Sequence, residues 1–239
     1  MHFSEIRNLI LDSKFSNLIF NTKPRVVAFA RGGSAAVGLQ DEGSDYDIIA
    51  YTLGFTSMAI PFVFINKKTN EKLSILNENL CVWEYDVNNL GRGFYFLFLV
   101  ANTADENIIV LPEYEQQFWQ MLTLVRENES LVRAAFCKQY IEVYKKFLNN
   151  DSDLNYHKLK YLYFWLYFFA KDNNLEMPLD LITKIKRLKA QTFSDFSEEE
   201  QQYFLKAGNY ILETYDWEKS KFEQSFNYFI KEALKIEWE

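Results

Sequence analysis

Along the first twenty residues, apolar side chains return near helical spacing at Phe3, Ile6, Leu9, Ile10, Phe15 and Leu18, which predicts an amphipathic helix over residues 3 to about 20. Pro24 then resets the backbone. Val26 to Ala30 is a short β-prone run feeding Arg31-Gly32-Gly33-Ser34, and Tyr46 to Thr52 is a second run rich in Ile and Tyr, so the two are expected to pair as strands. Ile60 to Asn66, Leu73 to Leu76 and Leu80 to Val87 carry further strand signals, the first two joined by the polar turn Lys67-Lys68-Thr69-Asn70. About five short strands result, mostly before residue 90.

Beyond Pro112 the period changes. Segments near 113 to 127, 129 to 148, 156 to 172, 178 to 189, 197 to 215 and 218 to 236 repeat every 3.6 residues and predict helices. Ser197 followed by Glu200 has capping-box spacing, and Asn149-Asn150-Asp151-Ser152 is a polar break between helices. The change sets a boundary near Pro112, with one domain over 1–112 and a helical domain over 113–239. The expected fold class is α+β: a small mixed β-sheet from about 25 to 87 flanked by helices, then an all-α bundle, with a cleft between the two parts.

Composition fits this division. Over 239 residues, 49% are hydrophobic and 25% charged, ordinary values that exclude a disordered or collagen-like chain. Aromatic residues reach 18%, and only 8 Gly and 4 Pro are present, which favours long helices over a turn-rich all-β fold. The net charge of −7 gives no general attraction for a polyanion. Cys81 and Cys137 have neither metal-ligand nor disulfide-framework spacing, so a reducing, cytoplasmic setting is expected. No leader opens the chain, and the longest apolar run, Phe94 to Ala101, falls far short of a membrane span, so no membrane partner is expected.

The stretch from Ala30 to Thr52 carries the candidate chemistry. Its order is strand, Gly-Ser turn, short helix, then Asp45-Tyr46-Asp47 at the start of a second strand. Side chains alternate along a strand, so Asp45 and Asp47 point to one side with Tyr46 opposed. Two carboxylates held so close repel each other unless a cation bridges them, and Mg²⁺ is commonly held by one or two carboxylates together with substrate phosphates. The Gly33-Ser34 turn lets backbone N–H groups and a hydroxyl approach a phosphate. These parts fit metal-assisted phosphoryl or nucleotidyl transfer.

Gly33-Ser34, followed eleven residues after the serine by Asp45-Tyr46-Asp47 within an apolar strand, resembles the signature of the nucleotidyltransferase superfamily related to DNA polymerase β. The fuller form, Gly-Ser-x-Ala-x-Gly-Leu-x-x-x-x-Ser-Asp-Tyr-Asp, is most similar to the predicted nucleotidyltransferases of bacterial RNA-repair gene neighbourhoods. Trp83 to Leu90 resembles that branch's "YDL…L" segment, and Ala101-Asn102-Thr103 stands near its "GNP" position. Lys160-Tyr161-Leu162-Tyr163, running on to Ala170 and Met177-Pro178, resembles its helical "KYLY…LA…P" segment.

The resemblance implies a nucleotidyltransferase-type N-terminal domain in which Asp45 and Asp47 are metal-binding carboxylates and Gly33 and Ser34 hold the nucleotide phosphates. The superfamily's third carboxylate comes from a later strand and helps activate the acceptor hydroxyl. Glu84 and Asp86 share one face of the 80–87 strand; Asp86 stands where the branch has its aspartate, and Glu84 is the reserve candidate. The implied reaction moves a nucleoside monophosphate from a nucleoside triphosphate to an acceptor hydroxyl, using Mg²⁺ or Mn²⁺ at Asp45, Asp47 and Asp86 and releasing pyrophosphate. An RNA end, a small aminoglycoside-like cation or a protein hydroxyl each fit as acceptor. Two departures stand out: Ala35 occupies a position commonly basic in the branch, and Leu166 aligns with its usual helical arginine. Arg31, Arg92, Lys158 and Lys160 are the basic residues left to compensate. The same departures keep open a catalytically silent member acting as a binding or regulatory module.

Other features have plainer explanations. His2 and His157 form no ligand cluster. The aromatic run from Tyr161 to Phe169 occupies every face of its helix, which describes a buried helix better than a base-stacking platform. Lys184 to Lys189 reads as a solvated helix face and is the best candidate for a nucleic-acid contact.

Overall fold

The structure is a computed structural model that describes residues 25–40, 46–53, 62–65, 72–79, 99–151, 159–187 and 192–215, with Asn8 and scattered positions between 221 and 236. The chain divides into two compact units, Met1–Val132 with Asn227–Glu239, and Arg133–Phe226. The helix expected over 3–20, apart from Asn8, and the strand over 80–87 lie outside the described residues, and the helix expected over 218–236 is described only at scattered positions, among which 221, 224, 225, 228, 231 and 232 are helical.

The first unit is built on a mixed sheet of five strands: β1 (Arg25–Arg31), β2 (Tyr46–Leu53), β3 (Phe62–Ile65), β4 (Lys72–Asn79) and β5 (Ile108–Val110), in the order β3-β4-β2-β1-β5. β1 lies antiparallel to β2 and to β5, β2 runs parallel to β4, and β3 is antiparallel to β4. The α+β class and the mixed sheet expected from the pattern are present. Val27 to Ala30 and Ile48 to Leu53 are buried without alternation, so both faces of the central strands are covered. Helix α1 (Glu115–Glu127) supplies part of that cover: its fully buried Phe118 meets Tyr51 of β2 edge to face, with ring centroids 5.5 Å apart.

Two expectations need correction. β5 was not foreseen: three apolar residues just ahead of Pro112 pair with Ala28 to Ala30 of β1. The single helix expected over 129–148 is two, α2 (Glu129–Lys138) and α3 (Ile141–Leu148). At the break, the Gln139 and Tyr140 N–H groups donate to Phe136 and Cys137 carbonyls three residues back, at 3.2 and 2.9 Å. Buried Tyr140 packs its ring against Phe136 and Tyr161, at 5.0 and 5.2 Å, so tertiary packing overrides the local period there.

In the second unit, a 3₁₀ turn (Lys160–Leu162) leads into α4 (Tyr163–Asp172), followed by α5 (Leu179–Arg187) and α6 (Glu198–Thr214). α4 is the buried aromatic helix expected, with Tyr163, Phe164, Trp165, Leu166, Phe168 and Ala170 all inside. α6 starts on the expected capping box: the Ser197 N–H donates to the Glu200 carboxylate at 2.8 Å, and the Glu200 N–H donates to the Ser197 hydroxyl at 3.3 Å. Among the described residues, the charged side chain buried in this core is that of Arg133. Arg133, 7% exposed, donates to Asp172 at 2.9 Å with its guanidinium 4.8 Å from the Phe168 ring centre, and the Tyr210 hydroxyl donates to the other Asp172 oxygen at 3.1 Å. Gly208 of α6 leaves the space into which the Tyr144 hydroxyl reaches to donate to the Phe204 carbonyl at 3.2 Å.

Candidate active site

β1 ends at Arg31, and the chain turns at once through Gly32 into a 3₁₀ segment, Gly33–Val37. The turn is tied to β2 by a short hydrogen bond, Gly32 N–H to the Asp47 carbonyl at 2.7 Å. Gly33 has φ +58°, a left-handed conformation in which side chains are strained. It is also crowded: a methyl group built on Gly33 would lie 3.0 Å from Asp47 Cγ and 3.2 Å from Asp47 Cβ, and would collide with the carboxylate oxygen Oδ2. The Asp47 carboxylate therefore rests on the bare backbone of the Gly33-Ser34 turn. Gly38 closes the segment at φ +74°, with Leu39 N–H donating to the Ser34 carbonyl at 2.8 Å.

This is a boundary in burial as well as in chain direction. Ile48, Ile49 and Ala50 are inaccessible, whereas Tyr46, Asp47 and Ser34 are half-buried, so the carboxylate sits at the rim of the core. A carboxylate and a serine placed together at such a rim form a donor set suited to a hard divalent cation and the oxygens of a phosphate. Among the described residues, no three His, Cys, Asp or Glu side chains gather as a metal-binding group. Of the residues singled out from the sequence, Gly33, Ser34 and Asp47 are brought together here; Asp45, Glu84 and Asp86 lie outside the described residues.

Arg31 does not join them. Asp47 and Ile49 face the Cα of Gly32, so Arg31, one residue earlier, leaves the strand on the opposite face. There its guanidinium lies 5.8 Å from the Tyr46 ring centre and donates to Gln40 at 2.8 Å. Arg92 and Lys158 lie outside the described residues. Leu166 is 1% exposed inside α4. Lys184 is engaged within its own unit, 2.9 Å from Glu200 and 4.9 Å from the Phe196 ring centre.

A feature the sequence did not reveal borders the turn. Thr103, 1% exposed, directs its hydroxyl to the Arg31 carbonyl at 3.1 Å and the Leu99 carbonyl at 2.8 Å. Arg126 of α1 donates through one nitrogen to the Thr103 carbonyl at 2.8 Å and to Asp105 at 2.7 Å. Ala101-Asn102-Thr103 thus abuts the end of β1. Beside the resemblance noted for that tripeptide, its signal in the sequence is a hydroxyl closing an apolar run.

No protein-family model matches the chain, and no curated protein does. Among solved structures, a nucleotidyltransferase-like protein from Exiguobacterium sibiricum 255-15 is similar at 12% identity and a TM-score of 0.31, over 96% of this chain and 78% of that one. Among the described residues, no helix is long and apolar enough to cross a membrane.

Proposed function

We propose that this chain is a metal-dependent nucleotidyltransferase that moves a nucleoside monophosphate from a nucleoside triphosphate to an acceptor hydroxyl. The observation that carries the proposal is the seating of the Asp47 carboxylate on Gly33, where no side chain other than hydrogen fits. A purely structural turn has no need of a carboxylate against its tightest backbone atom; a site that brings phosphate and cation together does.

In this scheme Gly33 and Ser34 receive the triphosphate, and Asp45, Asp47 and Asp86 hold Mg²⁺ or Mn²⁺. The bound cation supplies Lewis-acid charge to the α-phosphate. The acceptor oxygen bonds to the α-phosphorus as the bond to the β-phosphate oxygen breaks, and pyrophosphate leaves. Asp86 takes the acceptor proton, with Glu84 as the reserve. Positioning and fixed charge provide most of the acceleration, as in other phosphoryl transfers. The net charge of −7 suits a cationic small molecule or a protein hydroxyl, whereas the RNA-repair resemblance argues for an RNA end.

Pyrophosphate release with each nucleoside triphosphate, Mg²⁺ or Mn²⁺ and each acceptor class tests the scheme. Asp47→Asn is expected to abolish release while circular dichroism and melting temperature stay near those of the unsubstituted chain. Turnover retained in that variant removes the assignment. One observation favours a second account, a silent nucleotide-binding module: Leu166 stands in the core where the branch has an arginine. Mg²⁺-dependent nucleotide binding without turnover on any acceptor selects it.

A further inference from the structure

The Arg31 carbonyl and the Gly32 N–H belong to one peptide group, and the two ends of that group are held from different sides. The N–H donates to the Asp47 carbonyl at 2.7 Å, and the carbonyl accepts from the Thr103 hydroxyl at 3.1 Å. The next residue is Gly33, whose left-handed backbone carries the turn against the Asp47 carboxylate. A peptide plane fixed at both ends cannot rotate, and its angle sets where Gly33 and Ser34 lie relative to Asp47.

Thr103 is itself held. Its N–H donates to the Leu99 carbonyl at 2.9 Å, and its carbonyl accepts from Arg126, which also binds Asp105. Its hydroxyl proton is shared between the Leu99 and Arg31 carbonyls, so one buried oxygen links the end of the helical segment 99–102 to the end of β1. Valine has the same shape without the hydroxyl and would pack there at little steric cost. The hydrogen-bonding group, rather than the volume, is what this position supplies.

We infer that Thr103, braced by Arg126, is a positioning residue that orients the Gly32-Gly33-Ser34 turn for the triphosphate, an assignment resting on the nucleotidyltransferase scheme above. Two readouts test it on the full chain: amide hydrogen exchange at Gly32 to Ser34, and calorimetric binding of α,β-methylene ATP with Mg²⁺, both well below the melting temperature. Thr103→Val is expected to speed exchange at those amides and to weaken binding about tenfold, the scale of one net hydrogen bond. Thr103→Ser keeps the hydroxyl and should stay within about twofold on both readouts. Arg126→Met, at a more exposed site, loosens the brace from its far end and should move both readouts in the same direction by less, which keeps the test available if the valine variant folds poorly. Unchanged exchange in Thr103→Val and Arg126→Met overturns the inference, as does nucleotide affinity that both variants retain. Failure of the unsubstituted chain to bind the nucleotide overturns the nucleotidyltransferase scheme as well, which separates the two failures.

Discussion

Gly33→Ala and Gly38→Ala form a matched pair of perturbations. Both glycines have positive φ, +58° and +74°, so each alanine incurs roughly 1–2 kcal/mol for left-handed backbone. Gly38 has nothing within 4 Å of the added carbon, whereas at Gly33 that carbon lies 3.0 Å from Asp47 Cγ and collides with its carboxylate. Asp47 Cβ, 3.2 Å away, is tied to β2 and cannot swing clear. Overpacking of this kind costs about 1–3 kcal/mol, so Gly33→Ala should lose about 2–5 kcal/mol in all. Urea denaturation of the two variants and of the Gly33→Ala/Asp47→Ala double variant measures the difference directly. Removing the carboxylate should return much of the collision cost, so the cycle should show coupling of about 1 kcal/mol or more. Equal losses for the two alanines, within about 0.5 kcal/mol, together with no coupling to Asp47, would refute the packing on which the candidate site rests.

The helical unit offers further checks. Arg133→Ala should cost about 2 kcal/mol by urea denaturation, the scale of a charge-assisted hydrogen bond, because it removes a buried side chain that covers Phe168 and donates to the more exposed Asp172; Arg133→Met should lose less, since its chain still covers Phe168. Burial pushes the Glu200 carboxyl up, but hydrogen bonds from Lys184 and the Ser197 N–H outweigh it and hold the group below its ordinary value near 4.5. A lowered carboxyl contributes stability above that ordinary value and loses it as pH falls through the folded-state value. The melting-temperature gap between the unsubstituted chain and Glu200→Gln should therefore be widest near neutrality and close below about pH 4.5. Gly208→Ala should unfold the helical unit several degrees earlier, because the new methyl collides with the Tyr144 hydroxyl; a melting temperature equal to that of the unsubstituted chain would remove that contact.

Local pattern made β1, β2 and the Ser197 cap legible, because apolar runs bounded by turn residues and a serine three positions before a glutamate carry their own signal. Motif spacing, not periodicity, put Gly33 and Asp47 in one candidate site, but the seating of the carboxylate on the glycine was not foreseen. β5 was not, since three apolar residues gain strand character only from a partner near residue 29. The break at Tyr140 likewise depends on a ring contributed by Tyr161, which no local window contains. Whether Arg31 could serve the site turned on strand register: a one-residue difference put it on the face away from Asp47. The bond from Thr103 to Arg31 was invisible for a similar reason, because it reaches a carbonyl 72 positions earlier.

That late partnership has a consequence during synthesis. β1 emerges from the ribosome early, yet the strand that covers its outer edge follows about 80 positions later, which at ordinary elongation rates is a delay of roughly 4 to 16 s. Throughout that interval Ala28, Phe29 and Ala30, all buried in the finished sheet, present an uncapped apolar edge of the kind that invites pairing with another nascent chain. Ile108 to Val110 therefore act as a seal as well as a strand.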